Sequence, residues 1–214
     1  MQNPLIIHND VTAALPPLYC GSCSYYAVLA SYSRVIIHDG MRFDKRFKSV
    51  HRTSIADTRG VLDLTVPVAK PQHSLNAQWS DVIVSPHGGW WNIHLTALES
   101  AYGRTPFFEY YIDDFLPLFK EDMCGMPITD YNAAFDAIIR RLLGLSTEVE
   151  HLTAPELPSG SEDLRKADFS TLAPVTPYYQ VRAARLGFIP NLSILDLLFN
   201  LGTEAPLHLH SPLA

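Results

Sequence analysis

Apolar and polar positions repeat with a period of two in some stretches and at helical spacing in others. Val61-Leu62-Asp63-Leu64-Thr65-Val66-Pro67-Val68 alternates and is β-branched, which predicts a strand. Pro67 lacks an N–H, so it belongs at a strand end or edge. Short apolar runs predict further strands at Leu5-Ile6-Ile7, at 34–38 ended by Asp39-Gly40, at 81–84 and at 148–152. Tyr25, Val28, Leu29 and Tyr32 recur at helical spacing over 24–32. From Trp90 onward, Trp91, His94, Leu95, Leu98, Ala101 and Tyr102 share one helical face, and Pro106 limits that helix. Residues 107–120 are aromatic-rich and predict helix on either side of Pro117. Residues 128–143 form an amphipathic helix, with Thr129 or Asp130 at its N-cap and Gly144 just past its end. A last helix spans 194–201, opened by Asn191-Leu192-Ser193 and stopped by Gly202.

Strand, Pro/Gly-rich loop, helix and strand within the first 40 or so residues predict a parallel βαβ unit. The loop after its first strand then sits at the carboxyl edge of the sheet, where open α/β sheets place ligands. The order of elements predicts an α/β fold: a mostly parallel sheet of about five strands flanked by helices. A single domain is expected over 1–214, its C-terminal third completing or covering the site. Residues 154–173 are polar and Pro/Ser-rich and predict a surface loop.

Composition narrows the classes. Hydrophobic residues are 47% and charged residues 18% of 214, enough to build a core and exclude global disorder. A net charge of -6 argues against nucleic acid as the main partner. Three cysteines exclude a fully paired internal disulfide framework and suggest a reducing compartment. Residues 11–33 carry no charge, but Pro16, Pro17, Gly21 and four serines argue against a membrane-spanning helix. The first Lys or Arg is Arg34, so no export signal is visible and a cytoplasmic protein is expected. Residues 34–59 hold seven of the 16 cations against three acids, whereas 99–122 hold six acids against Arg104 and Lys120. The basic segment can hold a phosphate or carboxylate, or can be a solvated face paired with the acidic one.

Several residues carry possible chemistry. Cys20-Gly21-Ser22-Cys23 has redox-pair spacing at a helix start, a context that lowers a thiol pKa. The flanking sequence is not thioredoxin-like, and two small residues packing a tight loop fit better. Nine histidines invite metal readings, but no His-Glu-x-x-His, paired Cys-x-x-Cys or EF-hand loop is present, and no metal site is expected. His94, Asp113 and Asp114 are candidate bases, the two acids lying on an aromatic-rich helix where the plain alternative turns them to solvent. Asp196 and Asn200, four apart in an apolar helix, share one face. That face looks into a pocket or ties down a loop, with Arg182 or Arg185 as the expected partner of Asp196. No glycine-rich phosphate loop and no Gly-x-Ser-x-Gly elbow appears, and no motif names a cofactor.

Three segments together carry a family resemblance. They are Phe107-Phe108-Glu109-Tyr110-Tyr111-Ile112-Asp113-Asp114-Phe115, Leu64-Thr65-Val66-Pro67-Val68, and Gly187-Phe188-Ile189-Pro190-Asn191-Leu192-Ser193-Ile194-Leu195-Asp196. With the loop from Leu15-Pro16-Pro17 to Ser24-Tyr25-Tyr26, they resemble the WbqC-like protein family in its Bacteroidetes form. The chain departs from that pattern at Tyr19-Cys20-Gly21 and at His51-Arg52, where the family has an Asn-Arg pair. The resemblance implies transfer chemistry in surface-polysaccharide, O-antigen-type assembly. On this reading the chain is a cytosolic transferase acting on a sugar nucleotide or another activated anionic small molecule. Lys45, Arg46, His51 and Arg52 would hold the anion, Tyr19 and Ser22 would contact the acceptor, and Asp196 and Asn200 would line the site. The alternative is a non-catalytic binding or scaffold protein of an envelope-assembly pathway.

Overall fold

The computed structural model describes residues 8–71 and 76–209. The strand expected at 5–7 lies outside them. The parallel sheet has four strands rather than about five: β1 (His8–Leu15), β2 (Tyr32–His38), β7 (Glu148–Leu152) and β8 (Glu162–Asp163), in the order β7-β2-β1-β8. All three pairings are parallel, with Ala13 opposite Val35 and Glu162, and Val35 opposite Val149. Two expected strands go elsewhere. β3 (Arg52–Asp57) and β4 (Gly60–Thr65) form an antiparallel ribbon, and β5 (Val68–Ala69) pairs with β6 (Ile83–Val84) in another.

The βαβ unit is present: β1 and β2 are joined by α1 (Cys23–Ala30). Every residue of α1 from Cys23 to Leu29 is buried, as its apolar circumference requires. The other helices are α2 (Trp90–Tyr102), α3 (Phe108–Phe115), α4 (Ile128–Leu142), α5 (Phe169–Leu172), α6 (Ala183–Leu186) and α7 (Ile194–Leu201). α4 starts at Ile128 after Pro127, with no side-chain cap, so neither Thr129 nor Asp130 caps it. Tyr19, Tyr131, Phe115, Phe119 and Phe135 interlock beneath α4 with ring centroids 5.1–5.8 Å apart. Such aromatic pairs stabilise beyond their buried area by about 0.5–1.5 kcal/mol each. Asn132 projects from α4 and donates to the carbonyls of Pro17 (2.9 Å) and Val50 (2.7 Å), fixing the first loop against the basic segment.

The segment expected as a surface loop, 154–173, carries β8 and α5. Between β7 and β8 the chain crosses from one edge of the sheet to the other. It passes so close to the end of β2 that a Cβ on Gly40 would run into the carbonyl oxygens of Thr153 and Ala154. A glycine is required there by close approach, not by its dihedral angles.

Candidate functional site

The loops leaving the carboxyl ends of β1, β2 and β8 line two adjoining clefts. The larger, about 1340 Å³, is lined by Met41, Arg42, Phe43, Asp44, Arg46, Phe47 and Trp79, and by Pro155, Asp163, Arg165, Lys166 and Ala167. The smaller, about 300 Å³, is built from the first loop (18–22), β3, α5 and the turn before α7. Phe47 and Ala167 line both.

Four cations and two carboxylates line the larger cleft, an excess of positive charge on a chain of net charge -6. Each carboxylate positions an arginine. Asp44 accepts from Nη2 of Arg46 at 2.9 Å, which holds its carboxyl at about 2, well below the usual range. Asp163 takes Nε and Nη2 of Arg165 at 2.7 and 2.6 Å, and the Arg165 hydrogen bonds likewise lower its pKa. Arg165 also donates Nη1 to Nδ1 of His38 at 2.7 Å. A guanidinium only donates, so His38 is neutral, with its Nε2 hydrogen on the carbonyl of Ala154 at 2.8 Å. Burial lowers the His38 pKa, and Arg165 adds to it. Neighbouring His151 shifts the other way, because Asp39 accepts from its Nδ1 at 2.8 Å.

The smaller cleft is a rigid knot. Cys20 (φ 42°) and Asn191 (φ 55°) hold left-handed backbone, and both line this cleft. Left-handed non-glycine residues persist where surrounding contacts over-determine them. Here the Cys20 carbonyl accepts from Thr53 (2.8 Å) and Ser193 (3.1 Å). Asn191 Oδ1 accepts the Ser24 amide at 3.1 Å, Leu192 accepts that of Cys23 at 3.0 Å, and Ser22 Oγ accepts that of Tyr25 at 3.3 Å. The amides at the start of α1 are therefore spent on the protein. Ser22 is thus the N-cap of α1, with Asn191 taking the Ser24 amide from across the cleft, while Ser193 caps α7.

The expected site residues divide between the clefts and the core. Arg46 lines the larger cleft; Tyr19, Ser22 and Arg52 line the smaller. Arg52 is committed to Asp63 (3.0 Å) and Thr65 (2.9 Å). Lys45 is exposed on the same loop but lines neither cleft. His51 donates Nδ1 to the Val66 carbonyl (3.2 Å) beneath the Trp79 ring. His94 is buried between Tyr19 and Thr65. The Thr65 carbonyl fixes the hydrogen on Nε2 (3.2 Å), so the Tyr19 hydroxyl donates to Nδ1 (3.0 Å). Burial drops the pKa of His94 to about 4. Asp113 is exposed, Asp114 pairs with Arg141 at 2.6 Å, and neither lines a cleft.

Asp196 and Asn200 are buried away from both clefts and tie down a loop. Asp196 accepts from Tyr178 (2.6 Å) and Gln180 (3.1 Å), and Asn200 Oδ1 accepts the Val181 amide at 2.9 Å. The expected arginine partner is corrected: Arg182 donates instead to the carbonyls of Ser100 and Ala101. Cys20 and Cys23 are buried, unbridged thiols; burial and the nearby Asp196 push Cys23 up to about 12, opposite to a redox pair.

The sequence reading missed Arg165 and Lys166. Their signal was a cation pair just after Glu162-Asp163, masked by the loop-like composition around it. Among the described residues no helix is long and apolar enough to cross a membrane, and no three His, Cys, Asp or Glu converge as a metal-binding group.

The sequence model of the WbqC-like protein family matches residues 17–185, a span holding the first loop, both ribbons and the lining of the larger cleft. Rv1507c of Mycobacterium tuberculosis, described as an uncharacterised protein, is 26% identical over 212 residues, covering 85% of this chain and 90% of the relative. No solved structure matches the chain.

Proposed function

The chain belongs to the WbqC-like protein family, and from that premise we propose that it is a cytoplasmic transferase using a sugar nucleotide or a similar activated, anionic donor in surface-polysaccharide synthesis. One observation carries this reading. Arg42, Arg46, Arg165 and Lys166 surround a cleft at the carboxyl edge of a parallel sheet, beside the rings of Phe43 and Phe47, with buried Trp79 packed behind Phe43. Guanidinium and ammonium N–H groups donate to phosphate oxygens, and aromatic faces suit a base. Transfer from such a donor breaks the bond between the transferred group and the phosphate oxygen. A bond forms to the acceptor's nucleophilic atom, whose proton leaves to solvent, and the diphosphate departs with the bonding electrons. The chain's task is to hold that growing charge: Asp44 and Asp163 fix Arg46 and Arg165 in place and offset their charge, so what faces the donor is the excess of two positive charges in the lining and the remaining outer N–H groups of the two arginines.

The alternative, non-catalytic binding in envelope assembly, draws on two facts. The carboxylates lining the clefts are all committed, Asp168 included through Ser170 and Thr171, and Tyr110 stands 77% exposed beside Phe107. A single experiment tests both. Melting with saturating UDP, GDP, CDP and dTDP should show stabilisation of about 2.7 kcal/mol at 100 times Kd for at least one nucleotide. Arg165→Ala should remove most of it, since a charge-assisted contact contributes about 1.5–3 kcal/mol. No response to any of the four sinks the nucleotide reading. Binding of the sugar nucleotide with no turnover across acceptor panels supports the non-catalytic one.

A further inference from the structure

Resting on the donor reading of the larger cleft, we propose that the smaller cleft is the acceptor subsite and takes an uncharged, polyhydroxylated molecule about the size of one sugar ring. Its volume of about 300 Å³ is at the low end of small-molecule pockets, roughly 300–1,000 Å³. Its one lining cation and one lining acid are both already engaged, Arg52 by Asp63 and Asp168 by Ser170 and Thr171. No net charge faces a ligand there.

The hydrogen-bond inventory is more selective than the charge. A hydroxyl has one hydrogen to give and two lone pairs to offer. Thr53 and Ser193 spend their hydrogens on the Cys20 carbonyl, Ser54 spends its own on Asp63, and Ser170 on Asp168. Ser54 and Ser170 still present acceptor oxygens to the cleft, whereas Thr53 is buried and the Ser193 oxygen already accepts the Leu195 amide. A phosphate or carboxylate, which only accepts, leaves the Ser54 and Ser170 oxygens unmatched and meets the Asp168 carboxylate in the lining. A molecule carrying several O–H groups finds a matched surface. Ser22 uses its oxygen to accept from the Tyr25 amide and keeps its hydrogen for one reciprocal bond. The left-handed backbone at Cys20 and Asn191 holds this surface in shape before any ligand arrives. The clefts meet at Phe47 and Ala167, so an acceptor hydroxyl would lie next to the end of a donor in the larger cleft.

The full chain is tested with two probes: UDP for the larger cleft, and the methyl glycosides of glucose, galactose and mannose for the smaller, by saturation-transfer NMR. At least one glycoside is expected to bind. It should persist in Arg46→Glu/Lys166→Glu, where UDP weakens at least tenfold. It should weaken at least tenfold in Ser170→Trp and in Ser49→Trp, two exposed positions on different sides of the cleft, while UDP is kept. UDP binding with no response from any glycoside overturns the acceptor subsite and leaves the donor cleft standing. Glycoside binding without UDP binding supports the subsite and removes the donor reading. Equal loss of both probes in the Glu variant means one shared site and overturns the proposal. Glucuronate binding tenfold tighter than the methyl glucoside overturns the uncharged class.

Discussion

His94 is held neutral by its surroundings, and that makes a prediction about pH. Its pKa falls from an ordinary 6.5 to about 4 because the ring is buried. The unfolded chain therefore takes up this proton first as pH falls. The stabilisation is complete above pH 6.5 and is lost as pH drops towards 4, a loss of about 3 kcal/mol. The melting temperature of the native chain should fall over that range, and His94→Gln should flatten the slope; an unchanged slope would mean that His94 is not the group titrating. His151 has the opposite sign, since Asp39 raises its pKa: its contribution is complete below pH 6.5 and is lost as pH rises through the raised value. In the sequence His94 was legible as one member of a helical face. Its role was not, because a base poised in a cleft and a neutral core histidine have the same spacing. Burial by residues far along the chain, Tyr19 and Thr65, decides between them. The same holds for Cys20 and Cys23, whose spacing reads alike in a redox pair and in a packed loop.

Among the elements, α7 is the clearest case of a helix read correctly with the wrong partner. Its limits, and a cap at Asn191 or Ser193, were legible from polarity and Gly202, and Ser193 takes the cap. Its polar face pins residues 178–181, but through Tyr178 and Gln180, because the Arg182 guanidinium is drawn to carbonyls at the end of α2. Asp196→Ala removes the acceptor shared by the buried Tyr178, Tyr102 and Gln180 side chains and should cost about 3 kcal/mol in chemical denaturation. Asp196→Asn keeps an acceptor and should cost about 1 kcal/mol. Nucleotide and glycoside binding should be unchanged in both, since Asp196 lines neither cleft; lost binding at unchanged stability would make it a site residue instead. β1 and β3 were illegible for different reasons. His8-Asn9-Asp10 and Arg52-Thr53-Ser54 start both strands on polar residues; β3 is held by its antiparallel partner β4, and the buried end of β1, residues 13–15, runs straight into Pro16-Pro17 and reads as the start of the loop.

Across the whole molecule, the sheet's carboxyl edge was legible as the place for a cleft, because strand–loop–helix–strand order fixes where the first loop emerges. Which cations gather there was not. Arg46 and Arg165 stand more than a hundred residues apart, and only the crossing from β7 to β8 brings them to one cleft. That crossing also places Ala167 where the two clefts meet. If a donor lies in the larger cleft with its transferable group pointing to the smaller, that group passes Ala167. A bulky side chain there should obstruct the group and spare the nucleotide. Ala167 is half-buried and adjoins open volume, so Ala167→Phe should fold with little loss. Calorimetry should show UDP binding within about twofold of the native chain and UDP-glucose binding weakened about tenfold, equivalent to about 1.4 kcal/mol. Equal weakening of both ligands would place the nucleotide itself at the seam. No weakening of either would mean that the donor's sugar points away from the smaller cleft, and the two clefts would then serve separate ligands.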